Sequence, residues 1–154
     1  IVATLLIIKE GPQEISRIAN DAIKTLDSTE LIPVLNQTIK DPWLRTISIQ
    51  LLTTTGDKEA INILRPYLMG NDQKLKLDIA EALVELKCKD GIPVLIDFLK
   101  SNLETNRIIA FTSLKKATFL TFNYKIWEEK EKREQSVMLW EEWWKTNEPI
   151  FVFK

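Results

Sequence analysis

A period of 31 residues constrains this chain more than any other feature: Arg45, Lys76 and Arg107 stand 31 apart, and the same apolar pattern follows each. A small or apolar pair comes three and four residues later (Ser48 and Ile49, Ile79 and Ala80, Ala110 and Phe111), then a leucine at plus seven (Leu52, Leu83, Leu114). Ile61 and Asn62 lie sixteen and seventeen residues after Arg45, and Ile92 and Pro93 lie as far after Lys76. Counting back from Ile32 and Pro33 puts an earlier copy near Ser16, with Ala19, Ala22, Ile23 and Leu26 in the matching columns. A unit of this length cannot bury its apolar face alone, so copies must stack, which makes an all-α solenoid the expected architecture. The copies run 16–44, 45–75, 76–106 and a first helix over 107–119, with a capping segment over 120–154, all in one domain.

Capping chemistry sets the helix boundaries. Asp41-Pro42 places a capping side chain before a proline whose missing N–H costs nothing at a first helical position, so a helix is predicted to begin there and end at Gly56. Gly adopts the left-handed conformation that closes a helix, and Asp57 then caps a second helix over 58–69, with Leu64 and Leu68 on its buried stripe. The same reasoning predicts helices over 73–87 and 92–100, separated by Lys89-Asp90-Gly91. Upstream, Gly11-Pro12 opens a helix to about residue 26, and Asp27-Ser28-Thr29 caps one over 30–40. No stretch alternates long enough to read as a strand. Ile47, Ile49, Leu51 and Leu52 fall on more than one face of their helix, which demands neighbours on both sides. The small residues Ala19, Ser48, Ala80 and Ala110 allow those neighbours to approach closely.

The run Arg107-x-x-Ala110-x-x-x-Leu114, the segment Ile79-Ala80-Glu81-Ala82-Leu83 and the pairs Ile32-Pro33 and Ile92-Pro93 resemble the short bacterial HEAT repeats, helical hairpins related to the armadillo-like repeats. The resemblance covers residues 16–119 and implies a right-handed α–α superhelix of about four hairpins. The family turn is often Leu-Gly-Asp-Pro. Thr55-Gly56-Asp57 keeps part of it, whereas Leu86-Lys87-Cys88 and Leu26-Asp27-Ser28 depart from it.

The C-terminal segment breaks the period and carries four of the five tryptophans. After Phe119 come Phe122, Asn123, Tyr124 and Trp127, a charged helix, then Trp140, Trp143 and Trp144, similar to the Trp-rich tail that closes some bacterial HEAT-repeat proteins. Val137, Trp140 and Trp144 share one helical face, suited to covering the last hairpin. A competing use of the tryptophans is stacking on bases, sugars or proline. Base stacking comes with basic surroundings, and here Glu128, Glu129, Glu131, Glu134, Glu141 and Glu142 surround the rings. Glu128 with Lys132, Glu129 with Arg133 and Lys130 with Glu134 are spaced as i,i+4 pairs of a solvated face. Trp43, the tryptophan outside the cap, is expected to cover a hairpin edge rather than protrude as an anchor.

Twenty-one basic against 22 acidic residues give a net charge of -1, which removes the electrostatic footprint of a general nucleic-acid binder. The first eight residues are apolar except Thr4, too few for a membrane span, which needs roughly 20. The chain opens without Met and reads as an excised or processed piece whose first residues are either the second helix of a preceding repeat or the tail of an apolar leader. Leu6 lies ten residues before Ser16 as Leu35 lies ten before Arg45, which favours the repeat. There is no His, and Cys88 is the lone cysteine, so a Cys–His nucleophile cannot be built; Cys88 reads as a small apolar residue near a helix end. Four isolated glycines make no phosphate loop. No catalytic residue, cofactor or metal ligand is singled out, and an enzyme is not expected.

Surface remains. In HEAT-type solenoids the second helix of each hairpin lines the concave side, and the resemblance assigns its non-core columns to partner binding: Asn36, Arg65 and Ile96; Gln37, Pro66 and Asp97; Lys40, Met69 and Lys100. The mixture is polar and lightly charged, with Met69 and Ile96 among it, and suits a protein or peptide partner. The expected function is a noncatalytic interaction or scaffolding module. The alternatives are a HEAT-like enzyme or enzyme accessory, of the phycobilin lyase-type chaperone or DNA-alkylation glycosylase kind, and a structural spacer of a larger protein.

Overall fold

The computed structural model describes Thr4 and residues 11–153, and within them every regular element is helical. The order is α1 (Gln13–Lys24), α2 (Ser28–Thr38), α3 (Arg45–Thr55), α4 (Lys58–Leu64), a 3₁₀ turn (Arg65–Met69), α5 (Gln73–Glu85), α6 (Gly91–Phe98), α7 (Glu104–Thr118) and α8 (Lys130–Asn147). The protein is therefore all-α over the described residues. The readings placed on the apolar residues 1–8, Thr4 apart, lie outside them. The chain falls into two compact units, Ile1–Pro66 and Tyr67–Lys154.

In the first unit the expected caps form. Asp27 accepts from the Thr29 N–H at 3.1 Å, and Asp57 from the Glu59 N–H at 2.9 Å. Asp41 accepts from the Trp43 N–H at 2.7 Å, but residues 41–44 make a turn before α3 becomes regular at Arg45. Gly56, at φ +65°, ends α3 as its sequence position requires. The helix expected over 58–69 stops at Leu64: Pro66 has no N–H for the carbonyl of Asn62, and the chain tightens into the 3₁₀ turn. Leu31, Ile32, Leu35 and Ile39 are buried with Leu44, Ile49, Leu51 and Leu52, and α2 packs on α3 and α4. Ser48 is fully buried, its hydroxyl 2.7 Å from that of Thr38, which satisfies both inside the core. Trp43 contradicts its expectation. It protrudes, 68 % exposed, because the turn at 41–44 carries it off the helix face that meets the core.

In the second unit α5 packs on α6 and α7, and α6 also meets α7 and α8. The close approach anticipated at Ala80 occurs: a Cβ placed on Gly91 would lie 2.3 Å from the Ala80 carbonyl oxygen, so the two backbones touch there. Lys87 occupies, 31 residues on, the position of Gly56 and takes its left-handed geometry, φ 60°. The Cys88 N–H bonds to the Leu83 carbonyl at 2.8 Å and the Lys87 N–H to that of Val84 at 3.0 Å, a Schellman closure of α5 without glycine. The turns at Gly56 and Lys87 thus differ in side chain while sharing a left-handed residue. Cys88 is buried at that helix end, as expected.

The segment after Phe119 works as a cover for this unit. Val137, Trp140 and Trp144 are buried along one face of α8. Phe122 meets the Trp140 ring edge-on at 4.8 Å, and Phe151 packs against Trp143 and Trp144 at 5.8 and 5.6 Å. The Tyr124 hydroxyl donates to the Leu99 carbonyl at 2.7 Å, fastening the 119–129 loop to the end of α6. Burial raises the Tyr124 phenol above its ordinary value, opposed by the positive charges of Arg107 and Arg133. Of the three ion pairs anticipated around the start of α8, Glu128–Lys132 forms at 3.5 Å and Lys130–Glu134 at 3.8 Å. Arg133 instead turns its guanidinium to the Glu128 carbonyl.

Candidate functional site

Four of the residues drawn from the repeat columns belong to the first unit. Asn36 and Gln37 are exposed on α2, Lys40 just beyond it, and Arg65 at the end of α4. The other four belong to the second unit. Met69, 87 % exposed, ends the 3₁₀ turn, and Asp97 and Lys100 are exposed at the end of α6. Ile96 does not belong with them: it is 2 % exposed and part of the core. The columns assumed a second helix with one free side, whereas α6 is packed by α5, α7 and α8.

Asp97 and Lys100 are brought together in an open groove of about 400 Å³, lined also by Gln73, Phe98, Ser101, Asn102, Leu103 and Asn106. Its walls are the first turn of α5, the last turn of α6 and the turn that leads into α7. Phe98 is buried beneath it, while Leu103 presents its side chain to solvent, 63 % exposed. That turn is held rigidly. The Ser101 hydroxyl accepts from the Leu103 N–H at 3.2 Å and from the Asn106 amide at 3.3 Å. From below, the buried Arg107 guanidinium donates to the carbonyls of Ser101 and Asn102 at 2.8 and 3.0 Å, and its Nε to that of Ile126 at 3.1 Å. The Ser101 and Asn102 oxygens of that bend so gain a charge-assisted partner.

The Lys100 ammonium is divided unequally between two carboxylates: Glu141 of α8 at 2.5 Å and Asp97 at 3.7 Å. The hydrogen bond to Glu141 raises the Lys100 pKa above 10.5, with the charges of Glu141 and Asp97 adding to it against a desolvation cost. Lys100 therefore stays charged wherever the protein is folded near neutrality.

The repeat columns found two residues of this groove and missed the rest, because they sampled exposed second-helix positions and the remaining lining, the buried Phe98 of α6 apart, comes from turns and first-helix N-termini. The signal was present: Gln73 and Glu104 stand 31 apart at the openings of two first helices, with Leu103 just before the second. Among the described residues, no group of three or more His, Cys, Asp or Glu side chains is placed to hold a metal ion, and no helix is long and apolar enough to cross a membrane. Compared with protein-family models, curated proteins and solved structures, the chain finds no match in any of the three.

Proposed function

We propose that the chain is a HEAT-like repeat module, its hairpins stacked as a right-handed superhelix, that binds a protein or peptide segment without catalysing a reaction. The observation that carries this reading is the groove, where Asp97 and Lys100 stand with the amides of Gln73, Asn102 and Asn106 around the exposed Leu103. A side-chain amide offers one acceptor and two donors, the complement of a peptide backbone in extended form. Leu103 supplies an apolar contact, and a volume of about 400 Å³ accommodates a few residues of a partner rather than a whole domain. The turn that carries these groups is held in place before any partner arrives, which lowers the ordering cost of binding.

Selection from a random peptide display library against the parent protein, with a Leu103→Asp, Asn106→Ala double variant as counter-target, tests the reading. Peptides retained by the parent and lost by the variant are the expected result. Peptides held equally by both place binding outside the groove and sink it.

A further inference from the structure

We infer that residues 148–153 form a strap that opens without α8, is held shut by the two lysines of the α5–α6 turn, and on opening uncovers Trp143 and Trp144. Past the end of α8 the chain folds back. Its inner face carries Phe151, edge-on to Trp143 and Trp144 at 5.8 and 5.6 Å, with Phe153 against Phe151 at 5.0 Å. Ile150 and Val152 alternate with these rings and stand exposed. Little backbone holds the segment. The Ile150 and Phe151 N–H groups both donate to the Asn147 carbonyl, at 3.0 and 2.8 Å, and Val152 and Phe153 make no backbone hydrogen bond among the described residues. Two ammoniums grip its ends instead: Lys89 donates to the Glu148 carbonyl at 2.9 Å, and Lys87 lies 5.6 Å from the centre of the Phe153 ring. Lys87 is left-handed, a conformation that glycine takes without crowding, as Gly56 does one period earlier; lysine there supplies the cation over Phe153. α8 has anchors of its own, in the buried Val137 and Trp140, the Phe122 ring on Trp140, and Glu141 on Lys100. The strap can therefore leave while α8 stays.

Amide exchange followed by NMR tests the lysine clamp. Where closing outpaces exchange, the rates at Ile150 and Phe151 are proportional to the opening constant of the strap, and the amides of Trp140 and Trp144 report whether α8 opens with it. Lys87→Gln and Lys89→Met keep side chains of similar length and remove the ammonium. Each should speed Ile150 and Phe151 about two- to fivefold and leave Trp140 and Trp144 unchanged. Phe153→Leu removes the ring, and in that background Lys87→Gln should have no further effect. Equal acceleration inside α8 would mean that the cover opens as one piece and overturns the inference. So does an unchanged rate at Ile150 and Phe151, or an effect of Lys87→Gln that persists in Phe153→Leu. A second measurement tests what the strap covers. With Trp43→Phe and Trp127→Phe as background, Trp140, Trp143 and Trp144 carry the emission. Adding Phe151→Asp and Phe153→Asp should shift that emission to the red and increase its quenching by acrylamide, with the helical circular dichroism retained. Unchanged quenching, or loss of helix, overturns the inference as well.

Discussion

Phe119 closes α7 with φ 62°, a left-handed conformation in which a side chain crowds the following carbonyl at a cost of roughly 1–2 kcal/mol. Glycine takes that geometry freely, though its flexible unfolded state returns part of the gain. Phe119→Gly is therefore expected to stabilise by about 0.5–1 kcal/mol, read as a shift in the urea midpoint at constant slope. Gly91 behaves in the opposite way, because the space for its Cβ is already filled by the Ala80 carbonyl. Gly91→Ala should destabilise by about 1–3 kcal/mol as α5 and α6 are pushed apart, and no gain from lower chain entropy will compensate. Tyr124 sets a pH dependence. Its pKa and that of Lys100 are both raised, so each group binds its proton more tightly folded than unfolded. The associated stability is fully present below the unfolded values, about 10 for Tyr and 10.4 for Lys, and is lost as pH rises through the folded ones. Urea midpoints should stay flat from about pH 7 to 9.5 and fall above about pH 10, and Tyr124→Phe should shallow that fall. A midpoint that rises over the alkaline range would refute the assignment.

At the scale of elements, Arg107 shows what a repeat column can hide. Arg45 donates to the carbonyl of Ile39 at 3.4 Å and Arg107 to that of Ser101 at 2.8 Å, each six residues upstream. The basic residue near the start of a first helix thus ties down the end of the second helix before it. Lysine has neither the fork nor the reach to serve three carbonyls, so Arg107→Lys should cost about 1–3 kcal/mol in chemical denaturation and loosen the groove turn with it. The period announced this residue but not its task, since spacing reports which positions are equivalent and not which carbonyls will lie within reach. Caps at Asp27, Asp57 and Gly56 were legible because they involve neighbours in sequence. So were the leucine columns, each of which is buried whatever helix covers it. Ile96, Trp43 and the groove lining were not legible. Their environment depends on how many helices surround α6, how residues 41–44 turn, and which helix termini converge, all of which are tertiary outcomes.

At the scale of the whole molecule, helices α5 and α1 differ in how much of each is committed to a core. In α5 the buried residues are Leu75, Leu77, Ile79, Ala80, Ala82, Leu83 and Val84, contributed to contacts with α6 and α7. On α1, Ala19 and Ile23 are buried while Ile15 and Ile18 stand exposed, and its N-terminus lacks a side-chain cap. Opening a helix exposes whatever it buries, at about 25 cal/mol per Å² of apolar surface, so the cost of local opening should be far larger for α5 than for α1. Hydrogen exchange followed by mass spectrometry should find the amides of α5 and α6 protected longest and those of α1 exchanging first. The cover over 119–153 should fall between them, because its aromatic face is buried while the loop before α8 contributes few backbone bonds. Exchange at one common rate in α1 and α5 would mean that the chain opens only as a whole, and the smaller core of α1 would then have no separate stability to lose.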